Sequence, residues 1–111
     1  MAPWEIWTYD FEDEETHPVV IFSNAVRVAN PDLDRVNVLL CTTLRGHARW
    51  TPKPHEVVLD RADGLDWATR CRCDALYYVP KAKLRERRGI VSHERRRAIS
   101  QALLRFFPFN F

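Results

Sequence analysis

The stretch over residues 69–78, TRCRCDALYY, places the strongest constraint on how this chain can fold. It is rich in tyrosine and cysteine and contains neither glycine nor proline, which is typical of a β-strand. Because side chains alternate between the two faces of a strand, one face is predicted to enter the core. That face consists of Cys71, Cys73, Ala75 and Tyr77. The opposite face consists of Arg70, Arg72, Asp74, Leu76 and Tyr78, a row with the charges needed to bind or turn over an anion.

Further strands are predicted on both sides of this stretch, from apolar and β-branched runs that are bounded by turn residues. They cover residues 4–11, 19–23, 36–43, 56–60 and 89–91. Short helical turns are predicted over 65–69 and 80–84, and the segment 24–35 is predicted to be a connection with a turn at Asn30-Pro31-Asp32. Ser92 is predicted to cap a C-terminal amphipathic helix that ends at Pro108. Its apolar stripe consists of Ala98, Ile99, Ala102, Leu103 and Phe106.

This order of elements predicts a mainly β (α+β) fold in a single domain over residues 1–111: a small, strongly bent sheet or barrel with a C-terminal helix packed against it. With 111 residues, of which 46% are hydrophobic, the chain can close one core. No apolar run reaches membrane-spanning length, and the acidic start lacks the features of a signal peptide, so we expect a cytoplasmic protein. Cys41, Cys71 and Cys73 are an odd set, predicted to be buried thiols and not disulfides.

The net charge of +2 hides an uneven distribution. The acidic residues at the start of the chain all precede Arg27, the first basic residue, whereas basic residues dominate from Lys81 to Arg97. Such asymmetry favours a polyanionic partner, although a solvated basic face would give the same pattern. Charge alone leaves both interpretations open.

Several segments, taken in order, resemble the PemK/MazF-like toxins of bacterial type II toxin–antitoxin pairs. The opening WEIWTYDF is similar to the family's first strand, HPVVIFS to its second and VNVLLCTT to its third. Arg72-Cys73-Asp74 followed by VPKAKL resembles a later strand and its short helix, and GIVSHERRRAISQALLRF resembles the family's C-terminal segment. Two segments depart from the pattern: the loop after the first strand is a short acidic EDEET, and His17 stands where the family has an arginine before proline.

The resemblance implies an SH3-like barrel with a C-terminal helix, usually assembled as a homodimer. It also implies a metal-independent endoribonuclease, an mRNA interferase that needs no cofactor and cleaves single-stranded mRNA. A cognate antitoxin would be the protein partner.

By resemblance, Asp74 would be the base, Arg72 the phosphate clamp or acid, and Thr42 a hydroxyl that binds phosphate, with Thr43 as the alternative. A carboxylate beside a guanidinium is a weak base. We therefore hypothesise that His17 shares the acid/base work, because imidazole titrates near neutrality. RNA-binding contacts are predicted for Arg70, Arg45, Arg49 and Trp50, the last by base stacking.

Three alternatives remain open from the sequence. The acidic loop favours a catalytically degraded barrel that only binds a protein, peptide or nucleic acid, because carboxylates repel a phosphate backbone. A toxin acting on a protein target such as a topoisomerase is a further possibility, since related barrels do this. Cys71 and Cys73 with His47 or His55 could suggest zinc, but the two cysteines lack the usual two-residue gap, so no metal site is predicted.

Overall fold

The structure is a computed structural model that describes residues 1–11, 15–44 and 51–109. Within these ranges, six strands and two helices follow one another along the chain. The strands are β1 (Glu5–Asp10), β2 (Thr16–Ile21), β3 (Arg35–Thr43), β4 (Glu56–Leu59), β5 (Thr69–Pro80) and β6 (Leu84–Ile90). The helices are α1 (Ala25–Ala29) and α2 (His93–Phe106), and 3₁₀ turns cover Arg61–Asp63 and Lys81–Lys83. None of the helices in these described ranges is long and apolar enough to cross a membrane.

All six strands form one antiparallel sheet in the order β4-β5-β3-β2-β1-β6. The predicted mainly β fold with a C-terminal helix is confirmed. Within the described residues no strand pairing joins β4 to β6, so the sheet is not closed into a complete barrel. Irregular pairing between β1 and β6 and between β3 and β5 bends the sheet, because a bulge bends the strand that carries it.

The two faces of the sheet each carry a hydrophobic core. One face packs against α2 through Ile99, Ala102 and Leu103, and its strand residues include Leu39 and Cys71. The other face carries a second cluster, which consists of Tyr9, Val19, Ile21, Val28, Val36, Val38, Val79 and Leu84. We call the first the helix face and the second the open face of the sheet.

Strand β5 contains a wide bulge at its centre. Between the pairs Leu39–Leu76 and Cys41–Cys71, β3 advances two residues while β5 advances five, which leaves three extra residues on β5. An odd number of extra residues reverses which side chains face which side of the sheet. Cys71 and Cys73 therefore lie in the helix-face core, whereas Val79 lies in the open-face core.

The bulge corrects the predicted alternation of this strand. Tyr77 was expected beside the buried cysteines, but it pairs with Val38 of the open-face core and is 43% exposed. The first half of the prediction is confirmed, since Cys71 and Cys73 are fully buried while Arg72 and Asp74 are not. A strict period of two therefore predicts the face from which each side chain projects only as far as the first bulge of the strand.

A charged clasp spans the gap between the two edge strands of the sheet. We define it as Asp60, Asp63 and Arg95, with the backbone of Ser92 and Gly89. The Asp63 carboxylate, fully buried, accepts hydrogen bonds from the backbone N–H groups of Asp60 at 2.9 Å and Ser92 at 2.8 Å. Arg95 of α2 donates to both carboxylates. A Cβ at Gly89 would lie 2.0 Å from the carbonyl oxygen of Asp63, so only glycine fits there.

Helix α2 confirms the C-terminal prediction. Ser92 occupies the N-cap position, although its side chain makes no capping hydrogen bond, and the helix ends at Phe106, two residues before Pro108. In the predicted stripe Ile99, Ala102 and Leu103 are buried. Phe106 is 45% exposed and is therefore not part of the core.

Other boundaries differ from the prediction for local reasons. Helix α1 was missed inside the connection 24–35; Asn24 caps it by accepting the Arg27 N–H at 2.9 Å. Strand β2 begins at Thr16 and passes through Pro18, which precedes the stretch of β2 that pairs with β3. The predicted helical turn over 65–69 does not form, and β6 is longer than the predicted strand at 89–91.

The three cysteines are buried free thiols, as predicted. Cys41 and Cys71 are directly paired across β3 and β5. A hydrogen bond with Cys41, together with burial, raises the pKa of the Cys71 thiol. A hydrogen bond with Cys71 and burial likewise raise the pKa of Cys73. Such thiols are unreactive packing groups, since the thiolate is the reactive form.

Candidate active site

The central feature of the candidate site is the contact between Arg72 and Asp74 on the bulge of β5. Arg72 Nε lies 3.5 Å from Asp74 Oδ1, and the side chains of both residues are 39% exposed. The bulge places them at the surface, because its extra residues are not paired with β3. An exposed ion pair at this distance contributes little to stability, about 0–1 kcal/mol. Arg72 can therefore exchange Asp74 for an incoming phosphate, which releases the Asp74 carboxylate.

His55 is the imidazole that the fold brings to this pair. Its Nε2 lies 3.7 Å from Asp74 Oδ2, and its backbone carbonyl accepts the Cys73 N–H at 2.8 Å. The ring also packs edge-on against Phe106 at the end of α2, 5.8 Å between centroids. The sequence pattern suggested His55 only as a possible zinc ligand. No local signal could have revealed its place beside Asp74, because that depends on how β4 pairs with β5.

Arg70 is held differently from Arg72. Its guanidinium lies 3.3 Å from Glu56 Oε2, and the Glu56 side chain is only 2% exposed. Glu56 also accepts the backbone N–H of Lys53 at 3.0 Å. A buried carboxylate depends on its cation, since removing one partner leaves an uncompensated charge. Arg70 thus anchors the sheet and adds positive charge, but it is less able than Arg72 to leave its carboxylate for a substrate.

The strand register separates the two threonine candidates. Thr42 pairs directly with Arg70, and Thr43 pairs with the buried Thr69. Directly paired residues in an antiparallel sheet project from the same face. Thr42 therefore shares the face of Arg70 and Arg72, whereas Thr43 points toward the helix-face side. Of the two alternatives, the register favours Thr42.

His17 lies on the same face but makes other contacts. Val19 pairs directly with Leu40 of β3, so these two side chains project from the same face. His17 lies two residues before Val19 and Thr42 two residues after Leu40, so both project from that face as well. Its Nε2 lies 3.4 Å from Glu15 Oε2, and its ring packs edge-on against Phe11. Among the described residues, neither Arg72 nor Asp74 is within ion-pair or hydrogen-bond distance of His17. Its part in catalysis stays a prediction.

Several predicted groups cannot be placed. Arg45, Arg49 and Trp50 lie outside the described residues, and so does most of the acidic loop, 12–14. Within residues 1–11, 15–44 and 51–109, no group of three histidine, cysteine or acidic side chains is arranged to hold a metal ion. The candidate site therefore offers two guanidinium groups, a hydroxyl, a carboxylate and the imidazoles of His55 and His17, which are the groups that acid–base chemistry on a phosphodiester uses.

The family model of the PemK-like, MazF-like toxins of type II toxin–antitoxin systems matches residues 2–107. The chain belongs to this family. The resemblance drawn from the sequence segments is thereby confirmed over nearly the whole chain.

Solved structures of PemK-like, MazF-like proteins share the fold. A mycobacterial endoribonuclease in complex with its cognate antitoxin is 20% identical with a TM-score of 0.80, and 99% of each chain is covered. The Mycobacterium tuberculosis toxin MazF-mt6 is 23% identical with a TM-score of 0.73, covering 89% of this chain and 91% of that one. The MazE-MazF structure from Deinococcus radiodurans is 15% identical with a TM-score of 0.69, covering 93% and 90%. No curated protein sequence matches the chain.

Proposed function

We propose that this member of the toxin family is an endoribonuclease that cleaves single-stranded mRNA without a metal or other cofactor. The observation that carries the proposal is the exposed Arg72–Asp74 contact on the bulge of β5. Two solved structures of the same fold are described as endoribonucleases, which supports the same activity here.

The chemistry would be an internal transfer at phosphorus. The ribose 2′-oxygen attacks the adjacent phosphate and gives its proton to a base, while the bond from phosphorus to the 5′-oxygen breaks and that oxygen takes a proton. The products are a cyclic 2′,3′-phosphate and a free 5′-hydroxyl. DNA lacks the 2′-hydroxyl, so the reaction is confined to RNA.

Each group on this face has a proposed part in the reaction. Arg72 would neutralise the charge that develops on the phosphoryl oxygens. Stabilising the charge of the transition state in this way is usually the largest single contribution to the rate enhancement. Asp74, freed from Arg72 by the phosphate, would accept or orient the proton of the 2′-hydroxyl. Thr42 would donate a hydrogen bond to a phosphate oxygen.

The imidazoles of His55 and His17 are the two candidates for proton transfer near neutral pH. His55 is favoured by its distance of 3.7 Å from Asp74, and His17 by its place on the same face. Arg70, Arg45, Arg49 and Trp50 remain proposed RNA contacts, whereas Thr43 points toward the helix-face side and is not proposed as one.

We further propose a cognate antitoxin as protein partner and a cytoplasmic location, where mRNA is found. One of the structures with this fold contains an endoribonuclease bound to its antitoxin, and another contains MazE with MazF. A homodimer is proposed on the family resemblance alone.

The test is RNA cleavage in the presence of a chelator. We expect the purified protein to cut a long single-stranded RNA in EDTA, and Arg72→Ala and Asp74→Ala each to lower the rate about 100- to 1,000-fold. Both side chains are exposed, so both variants should unfold at nearly the same denaturant concentration as the parent. Arg97→Ala, an exposed arginine on α2, is the matched control. Cleavage that persists in both variants would rule out the assigned pair.

The second candidate is a binding module without catalysis. It is favoured by one observation: both guanidinium groups of the site already face a carboxylate, Arg70 with Glu56 and Arg72 with Asp74. Such a face is close to neutral, which weakens its attraction for a phosphate backbone. Tight binding of a peptide or RNA with no cleavage, under the conditions above, would favour this candidate.

A further inference from the structure

His55 lies at the corner of a tight turn immediately before β4. The Glu56 N–H donates to the carbonyl of Lys53 at 2.9 Å and closes the turn. Pro54 occupies its second position, where proline is favoured because its φ is already fixed. The His55 carbonyl accepts the Cys73 N–H at 2.8 Å. The backbone of His55 is therefore held, and the direction of its imidazole is left to the side-chain torsions.

Asp74 by itself does not fix the direction of this imidazole. The His55 side chain is 24% exposed, and its Nε2 lies 3.7 Å from Asp74 Oδ2. That distance is longer than an N–H···O hydrogen bond, which spans about 2.7–3.2 Å. Rotation about the bond to an imidazole ring is broad, because it has no sharp staggered minima. Proton transfer requires one defined orientation of the ring, so a second contact has to restrict it.

The last turn of α2 supplies that second contact. The helix packs against β4 and β5, and its end lies beside the turn that carries His55. Arg105 donates a hydrogen bond to the carbonyl of Pro54 at 3.4 Å. The Phe106 ring meets the imidazole edge-on, with 5.8 Å between centroids and 85° between the ring planes, which is a favoured geometry for aromatic pairs. Two consecutive residues of α2 thus contact two consecutive residues of the turn.

Burial in the core does not account for Phe106. Its side chain is 45% exposed, whereas Leu103, one turn earlier, is buried. The Phe107 N–H donates to the Leu103 carbonyl at 3.0 Å, so the backbone next to Phe106 is anchored to the core. Among the ring contacts within the described residues, the partner of Phe106 is His55. Phe106 is therefore a firmly mounted ring that contributes little to the core and restricts the imidazole.

We propose that Phe106 is a positioning residue for RNA cleavage: its ring holds the His55 imidazole beside Asp74, in the orientation that transfers a proton at the scissile phosphodiester. This role rests on the proposed endoribonuclease activity, with His55 as a proton-transfer group. It makes the end of α2 part of the site, although no atom of the helix has to touch the RNA.

The test is single-turnover RNA cleavage in EDTA over a range of protein concentrations, which separates the saturating rate from the half-saturating concentration. Phe106→Ala should lower the saturating rate about 5- to 20-fold and leave the half-saturating concentration within about two-fold of the parent. Phe106→Tyr keeps the ring and should cleave within about two-fold of the parent rate. Phe109→Ala is the matched control, because Phe109 is 55% exposed and lines a different groove with Phe22 and Leu104.

A double variant distinguishes positioning from a general structural role. In a His55→Gln background, Phe106→Ala should cause no further loss of rate, because the group that it orients is already gone. An equal loss in both backgrounds would overturn the proposal, since Phe106 would then act through something other than His55. A raised half-saturating concentration with an unchanged saturating rate would also overturn it and make Phe106 an RNA contact.

The outcomes also separate this role from the nuclease proposal. If the parent protein cleaves no RNA, the proposed function fails and the positioning role fails with it. If the parent cleaves RNA and either Phe106→Ala or His55→Gln cleaves like the parent, only the positioning role fails.

Discussion

Two charged clusters in this protein use the same residue types in opposite ways. In the clasp, Arg95 donates to Asp60 at 2.6 and 3.0 Å, and the Asp63 side chain is fully buried. In the candidate active site, Arg72 and Asp74 are 3.5 Å apart and 39% exposed. The clasp has its hydrogen bonds satisfied within the protein. The site pair keeps its hydrogen-bonding capacity available to a ligand.

The difference follows from the places of the two clusters in the sheet. The clasp bridges an opening between the two edge strands, where an unsatisfied backbone would otherwise be buried. The site pair lies on a bulge, where the strand gives up pairing with β3. Short, buried contacts hold the fold together, and long, exposed ones at an irregularity mark a site of binding or chemistry.

The largest effect is expected from breaking the clasp. Asp63→Ala removes the buried carboxylate that serves Ser92, Asp60 and Arg95, and should lower the free energy of unfolding by about 3–5 kcal/mol. Denaturant titration measures the loss. At a temperature where the variant is folded, RNA cleavage per folded molecule should match the parent. A variant as stable as the parent would contradict the structural role of the clasp.

A smaller effect is expected on the site face. Thr42→Val, which removes the hydroxyl beside Arg70, should slow RNA cleavage about 10- to 100-fold because one hydrogen-bond donor to phosphate is lost. Thr43→Val is the matched control, since Thr43 pairs with the buried Thr69. Single-turnover rates compare the two variants. A larger loss of cleavage rate in Thr43→Val than in Thr42→Val would mean that Thr43, and not Thr42, contacts the phosphate.

The two imidazoles should differ by their pH dependence. His55→Gln is expected to lower the cleavage rate by about 10- to 100-fold near neutral pH and to remove one limb of the pH–rate profile, because a proton-transfer group is replaced by a neutral amide. His17→Gln should change the profile less, since His17 contacts Glu15 and Phe11. If the profile of His55→Gln keeps the shape of the parent profile, His55 serves only to pack against Phe106.

The smallest effect concerns acid stability of the clasp. The hydrogen bond from Arg95 holds the pKa of Asp60 below its ordinary value. A folded-state pKa below the unfolded one gives stability that is present above about pH 4 and is lost as the pH falls through the folded value. Asp60→Asn should therefore flatten the fall of stability below about pH 4. An unchanged slope in acid unfolding curves would show that Arg95 does not stabilise the charged form of Asp60.

Much of the architecture followed from local patterns. The apolar runs located five of the strands within a few residues, because a buried strand needs its hydrophobic residues in sequence. The C-terminal stripe located α2, since Ile99, Ala102 and Leu103 recur at helical spacing. The order of motifs identified the family, and Arg72 and Asp74 were found as neighbours on one strand.

The tertiary structure decided the rest, because it depends on which strands pair and where pairing fails. The three extra residues of β5 place Tyr77 on the open face. The periodicity of residues 69–78 does not indicate this bulge, because the bulge depends on the register between β5 and β3. His55 reached Asp74, and Arg27 and Arg35 reached Tyr78, only through contacts between segments far apart in the chain. The sequence by itself determined which residues could do the chemistry; long-range pairing alone determined which of them meet.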